Sequence, residues 1–272
     1  AESSFHGRTL ATLSATGQPK YQEGFGPMVK GFKFFKYNDI ASVKKLFDEC
    51  QKNNQRVSGV LIEPIQGEGG VIPGDKLFFK ELREICNQNN SLLILDEVQS
   101  GVGRTGKMWG YENLEIEPDG FTLAKGLGGG HAIGALLVQE KANIFNPGDH
   151  ASTFGGNPFA CRAALTVLEE ITRRKILKNV LERGNQLNQG FTKISAKFPK
   201  IISSIRGLGL IQGLVINDSY TDAKTITLKA FDKGLLLVPA GGNVVRFVPP
   251  LIISRNEINI LLKKLDLIFE EI

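Results

Sequence analysis

The chain has 272 residues, 42% of them hydrophobic and 22% charged, which excludes disorder and allows two domains with real cores. The net charge of +5 is spread over both signs without a long basic block, so a solvated surface is expected rather than nucleic-acid binding. Cys50, Cys86 and Cys161 make neither a CxxC pair nor a disulfide framework, which fits a reducing, cytoplasmic compartment. No apolar run reaches membrane-spanning length and no signal peptide is visible. The sequence opens without Met, almost directly on Phe5-His-Gly-Arg8, so the chain is expected to begin inside a domain.

The first periodic stretch is 39–53, where Ile40, Val43, Leu46, Phe47 and Cys50 recur at helical spacing and predict an amphipathic helix. Val57–Ile62 reads as a short buried strand. A second helix is predicted over Leu77–Asn89, with Phe78, Leu82, Ile85 and Cys86 on one face, and Leu92–Leu95 is the next strand. Strand, helix and strand in units of about thirty residues indicate a parallel α/β sheet with crossover helices. Ligands bind such sheets at the carboxyl ends of the strands, where Glu63 and Asp96 stand. Gly134–Val138 is a further strand candidate. Asn157-Pro158 opens a long helical region that is expected to run towards Leu187 and to bridge two domains.

Beyond it the texture changes. Ile202–Ile216 predicts a hairpin of strands, 222–233 a helix, and Leu235–Pro239 and Val244–Val248 two more strands. Ser254-Arg-Asn-Glu257 is a capping box that opens a last helix with Ile258, Leu261, Leu265 and Ile268 inward. The expected organisation is a large domain over 1–160, an interdomain helix over 161–190 and a small α+β domain over 191–272.

Lys125 lies in Phe121-Thr-Leu-Ala-Lys125-Gly-Leu-Gly-Gly-Gly130, apolar before it and glycine-dense after it, which suits a lysine at a buried strand end beside a tight turn. Asp96 ends the apolar run Leu92–Leu95, and a carboxylate there is costly without a cationic partner. A lysine amine that forms a Schiff base and an acid that pairs with a pyridine nitrogen are what a pyridoxal phosphate (PLP) enzyme needs. A surface lysine, and an aspartate acting as helix cap or metal ligand, are the plainer readings of each residue alone. Asp-Glu after a strand also occurs in nucleotide-binding sequences, but no GxxxxGK[ST] loop is present. Gln99 could hydrogen-bond a phenolic oxygen of the same cofactor.

Ser152-Thr153-Phe-Gly-Gly156 joins hydroxyls and glycines just before a predicted helix, which suits a phosphate and equally an ordinary cap with a glycine turn. Arg246, in the apolar strand Val244–Val248, wants a bidentate acid, either a ligand carboxylate or a structural partner. Arg8, in a Gly-Arg-Thr turn, is a weaker candidate of the same kind. Glu68, on the glycine-rich stretch Gly67–Gly70, either masks one of the arginines or is solvated. His6 and His131 have no metal-ligand spacing, and no metal is expected.

Together, Phe5-His-Gly-Arg-Thr9, Glu63-Pro-Ile-Gln-Gly-Glu-Gly-Gly70, Leu95-Asp-Glu-Val-Gln99, Gly103-Arg-Thr-Gly106, Ala124-Lys-Gly126, Ser152-Thr-Phe-Gly-Gly-Asn-Pro158 and Arg246-Phe-Val-Pro-Pro250 resemble the class III, ornithine-type PLP-dependent aminotransferases of fold type I. The resemblance covers essentially the whole chain. It implies a mostly parallel large-domain sheet with flanking helices, a small α+β domain and a homodimeric full-length protein. Lys125 would be the Schiff-base lysine and proton shuttle. Asp96 would pair with the pyridine nitrogen, Gln99 would bind the phenolic oxygen with Val98 beside it, and Phe5 would stack on the ring. Thr153 would bind the cofactor phosphate across the dimer interface. Ser152 and Arg8 would contact an acylated ornithine, Arg246 the α-carboxylate of glutamate or 2-oxoglutarate, and Glu68 would cover Arg246 when the other substrate is bound.

The implied reaction is a ping-pong transamination of arginine biosynthesis. Ornithine, succinylornithine, 4-aminobutyrate and lysine remain alternative amino donors, and a non-catalytic role a third course. Family members carry further sequence before the Phe5 motif, including a phosphate-cupping helix start. The chain is therefore expected to be the later part of a longer protein, with weak PLP retention and little activity alone.

Overall fold

Two sheets of different character organise the chain in the computed structural model, which describes residues 1–272. The first unit comprises Ala1–Pro64, Gly74–Val102 and Trp109–Glu169. Its elements are α1 (Leu10–Ala15), α2 (Ile40–Lys52), β1 (Gly59–Ile62), α3 (Lys76–Gln88), β4 (Leu92–Asp96), β5 (Gly120–Leu123) and β6 (Ala135–Val138), and α4 (Pro158–Arg173) starts within it. The intervening short strands β2 (Ile65–Gln66) and β3 (Ile72–Pro73) belong to the second unit.

The sheet order is β1-β4-β5-β6, with β1, β4 and β5 parallel and β6 antiparallel to β5. The predicted amphipathic helices form where their apolar periodicity and caps coincide. Asp39 accepts the Ser42 amide at the start of α2, and Asp75 accepts the Phe78 amide at the start of α3. Phe78, Phe79 and Leu82 of α3 join Ile62, Leu93 and Leu95 of the strands in one buried cluster. A fully buried Phe or Leu side chain contributes about 1.5–3 kcal/mol, so the face of α3 that carries three of them fixes it on the sheet. At the sheet's amino end, Asp119 is buried and accepts from Arg83 Nη1 and the Leu93 amide, both at 2.7 Å, with Lys141 as a further ion-pair partner.

The second unit comprises Ile65–Pro73, Gly103–Met108 and Glu170–Ile272. It holds α5 (Ile176–Lys197), β7 (Ile202–Leu208), β8 (Ile211–Ile216), α6 (Ala223–Asp232), β9 (Val238–Ala240), β10 (Val244–Phe247) and α7 (Arg255–Glu270). The sheet order is β7-β8-β10-β9, antiparallel throughout. Leu187 and Phe191 of α5, Ile226 of α6, and Ile258 and Leu265 of α7 bury one face of it against Leu214, Val245 and Phe247. The capping box forms as predicted: Ser254 Oγ accepts the Glu257 amide and Glu257 accepts the Ser254 amide.

Two early stretches of chain complete this unit. Ile65 and Val71 pack with Ile211 and Val244. Arg104 Nη1 donates to the carbonyls of Leu210 (3.0 Å) and Pro249 (2.5 Å), and burial lowers its pKa to about 10.

Two element predictions need correction. The single helix expected from Asn157 towards Leu187 is two, α4 and α5, because Lys175 takes a left-handed φ of 53° between them. The strand expected from Leu235 begins at Val238, since the Leu235 amide is spent on the Ala230 carbonyl in the turn that ends α6. No helix is long and apolar enough to cross a membrane.

Candidate active site

The parallel register places Asp96 opposite Thr122, so the carboxylate ends β4 beside the last turn of β5. Asp96 is 8% exposed, and donors surround it. Its Oδ2 lies 2.8 Å from His6 Nδ1, and its Oδ1 accepts the Val98 amide at 3.0 Å and the Thr122 hydroxyl at 3.4 Å. His6 itself is held by its backbone, whose amide donates to Thr16 Oγ1 at 3.0 Å. Its side chain is 2% exposed, and the buried Nε2 has no hydrogen-bond partner. Nothing in the sequence joins residues 6 and 96, and the one local signal is a histidine directly after Phe5 in the Phe5-His-Gly-Arg-Thr9 motif.

Glu97 is a second residue that sequence reasoning passed over. It is buried, and its Oε2 accepts Ser100 Oγ (2.6 Å) and the Gly110 amide (2.9 Å) while Oε1 accepts the Tyr111 amide (2.7 Å). Burial raises its pKa, against the pull of these three donors. The effect is to tie the start of the loop after β4 to its return at 110–111. Val98 and Gln99 lie on that loop, both half-buried.

Lys125 comes two residues after β5, the strand that pairs with the one bearing Asp96. The expected burial does not occur: the lysine is exposed. After Leu123 the chain turns at once into a 3-10 turn over Lys125–Gly128, in which Leu127 and Gly128 take the buried places. Lys125 has a left-handed φ of 44°, an uncommon conformation for a residue with a side chain. Such conformations cluster where function fixes a side chain's direction.

Phe5 is half-buried, its amide donating to Glu63 Oε2 at 3.2 Å and its ring meeting Tyr21 edge-on at 5.6 Å. Arg8 is exposed and its guanidinium lies over the Tyr21 ring at 4.4 Å and the Phe5 ring at 5.4 Å. Ser152 and Thr153 are exposed in the stretch before α4, where Ser152 Oγ accepts the Gly155 amide at 2.9 Å. Asn157 Oδ1 accepts the Ala160 amide at 2.9 Å, so Asn157 is the cap that starts the helix. These residues all belong to the first unit.

Arg246 and Glu68 belong to the second unit, and there they meet. Arg246 Nη1 lies 2.6 Å from Glu68 Oε1; the arginine side chain is 7% exposed and the glutamate 26%. The two residues thus form an ion pair, an arrangement common to the masking reading of Glu68 and the structural-partner reading of Arg246.

The family profile for class-III aminotransferases matches residues 1–269, and the chain belongs to that family. It is 93% identical over 271 residues to the acetylornithine aminotransferase of Prochlorococcus marinus subsp. pastoris, covering 100% of this chain and 65% of that protein. A structure of Toxoplasma gondii ornithine aminotransferase, described with partial occupancy of PLP at its active site, superimposes with a TM-score of 0.91 at 30% identity, over 98% of this chain and 63% of that one. N-acetylornithine aminotransferase from Stenotrophomonas maltophilia gives 0.78 at 36% identity, over 90% of this chain and 64% of that one. The chain thus spans about 65% of the length of the curated relative it matches. The fold is that of these aminotransferases: a mostly parallel sheet with flanking helices, and a smaller α+β unit.

Proposed function

We propose that the protein uses pyridoxal 5'-phosphate to transfer an amino group from N2-acetylornithine to 2-oxoglutarate, giving N-acetylglutamate 5-semialdehyde and glutamate, a step of arginine biosynthesis. The observation that carries this is Asp96, a buried carboxylate held by His6, Val98 and Thr122 one strand away from the exposed Lys125. The donor chemistry fits the cofactor: a fixed acid for a ring nitrogen, an exposed amine for an aldehyde, and exposed hydroxyls before α4 for a phosphate. When bound, the cofactor supplies an electron-accepting ring and an aldehyde that carries nitrogen between the two half-reactions.

The chain's own residues then divide the remaining work. Asp96 keeps the ring nitrogen protonated, while His6 and the Val98 amide keep the carboxylate from turning away. Lys125 Nζ would take the proton released from the substrate carbon and give it back in a 1,3-shift. Phe5 would cover one ring face, Gln99 would donate to the phenolic oxygen, and Thr153 would serve the phosphate from the partner of a homodimer. Exposed Leu136, Leu137, Ile144, Phe145 and Phe154 support such an interface. Arg8 and Ser152 hold the acylated ornithine. Arg246 holds the α-carboxylate of glutamate or 2-oxoglutarate, and Glu68 masks it at other times. The ligands are small amino and oxo acids, with neither nucleic acid nor membrane involved, and the setting is the cytoplasm.

A second reading, ornithine itself as amino donor, is favoured by the likeness to the Toxoplasma gondii enzyme. The 93% identity to an acetylornithine aminotransferase favours the first. A substrate panel with 2-oxoglutarate as acceptor separates them, since faster turnover of free ornithine overturns the first. The test of the chemistry is an absorbance spectrum with added PLP, before and after borohydride. A near-visible band that borohydride fixes covalently is expected in wild type and absent in Lys125→Ala. The same fixation in Lys125→Ala overturns the assignment.

A further inference from the structure

In the second unit, Arg206 of β7 and Arg246 of β10 are both register partners of Gly213 on the central strand β8. Directly opposed residues of antiparallel strands project from the same face. The two guanidinium groups therefore leave one sheet face from strands two spacings, about 10 Å, apart. Between them Gly213 offers no side chain, and Val244 and Val71 fill that space. A Cβ on Gly213 would stand 2.6 Å from Val244 Cγ1 and 3.2 Å from Val71 Cβ.

The segment that brings Val71 there is pinned at several points. The Gly241 amide donates to the Glu68 carbonyl at 2.8 Å. Arg206 Nη1 donates to the Gly70 carbonyl at 3.4 Å. Val71 is fully buried with a φ of 51°, a left-handed conformation that is a genuine outlier for a β-branched residue. Strain of this kind persists only where the surroundings over-determine the backbone. Gly67, Gly69, Gly70 and Val71 are buried, whereas the Glu68 side chain is a quarter exposed. The backbone is held and the carboxylate alone has room to leave.

We propose that Arg206 is a positioning residue for the Glu68–Arg246 pair. By gripping the Gly70 carbonyl it fixes the backbone from which Glu68 reaches Arg246. It thereby sets how readily a carboxylate ligand displaces Glu68. This rests on the masking role given to Glu68 above, but not on Lys125 or the cofactor, because every group involved lies in one unit. An acid tethered beside its partner competes with free ligand through its effective concentration, and loosening the tether lowers that concentration.

The test uses the 272-residue chain, with glutarate as an unreactive dicarboxylate probe and the exchange rate of the Gly241 amide as a second readout. Arg206→Gln and Arg206→Lys should each speed Gly241 exchange about tenfold, the effect of losing one charge-assisted hydrogen bond. Both should tighten glutarate binding about threefold in the presence of Glu68 and leave it unchanged in a Glu68→Gln background. The lysine variant keeps the charge, so a change seen only with glutamine reports lost electrostatic attraction and overturns the proposal. Unchanged Gly241 exchange in both variants, or glutarate shifts that persist without Glu68, also overturn it. Glutarate binding that responds to Glu68, in a protein whose borohydride-fixed band survives Lys125→Ala, would defeat the proposed reaction and leave the role of Arg206 standing.

Discussion

Asp96 and Glu68 are both carboxylates paired with a nitrogen base, and they are built for opposite behaviour. Asp96 ends a central strand, is 8% exposed, and accepts from a buried imidazole, a backbone amide two residues away and a hydroxyl on the next strand. Glu68 extends from a glycine-flanked segment, is 26% exposed on its side chain, and meets one guanidinium. A group with many fixed donors cannot turn without leaving several of them unpaired, and each buried loss is costly. One with a single partner and a path to water can exchange that partner for a ligand at little cost. On the roles proposed above, the acid needed throughout the reaction is the one enclosed by structure, whereas the acid that comes and goes is attached to it at one point.

The hardest way to break the comparison is Asp96→Asn. An amide cannot keep the ring nitrogen protonated, and kcat/KM for transamination should fall about a thousandfold, roughly 4 kcal/mol of barrier. A loss under tenfold in steady-state assays would mean that Asp96 is structural. Next is His6→Phe, which removes one donor and leaves the Val98 amide and Thr122. Losing a hydrogen bond to a charged group is worth about 1.5–3 kcal/mol, so activity should drop about ten- to a hundredfold and the melting temperature should fall by a few degrees with it. A variant that melts early but turns over normally would make His6 a packing residue.

Asp119→Asn is the control, a buried carboxylate paired with Arg83 and Lys141 but remote from the strand ends that carry the candidate site. Burial alone would raise its pKa, but Lys141, the Leu93 amide and Arg83 together hold it below the usual range. A depressed carboxyl contributes its full stability above the unfolded value of about 3.9 and loses it as pH falls through the lowered one. The substitution should cost about 2 kcal/mol in denaturant melts near neutral pH, and the gap to wild type should close in that acid window, with kcat unaffected. The smallest effect is expected from Glu68→Gln. The KM for 2-oxoglutarate should fall about threefold because the mask is weaker, with little change in kcat. A rise in KM would show that Glu68 assists binding.

Local pattern made a good part of this legible. The apolar run that stops at Asp96, Asn157 ahead of Pro158 and the Ser254 capping box each carry their signal within a few residues, and each forms as read. What stayed hidden depends on distant partners. His6 and Asp96 are 90 residues apart, a separation that leaves no trace in hydrophobic period, and the Arg246–Glu68 pair, 178 apart, is legible only through the family resemblance. Lys175 breaks the helix without glycine or proline, the residues that mark such a break in sequence. Lys125 looked buried because its neighbours are apolar, but those neighbours take the interior and turn it outward.

The way the chain is apportioned also limits how it can be cut. It passes from one unit to the other after Pro64, Pro73, Val102, Met108 and Glu169. A cloning boundary between α4 and α5 would look natural from the long helices, yet the excised polypeptide would lack two stretches that finish it. Its sheet would lose Ile65 and Val71 from beneath Ile211 and Val244, Arg246 would be left without Glu68, and the carbonyls of Leu210 and Pro249 would lose the arginine that ties them together. Any autonomous version would have to splice residues 65–73 and 103–108 back in.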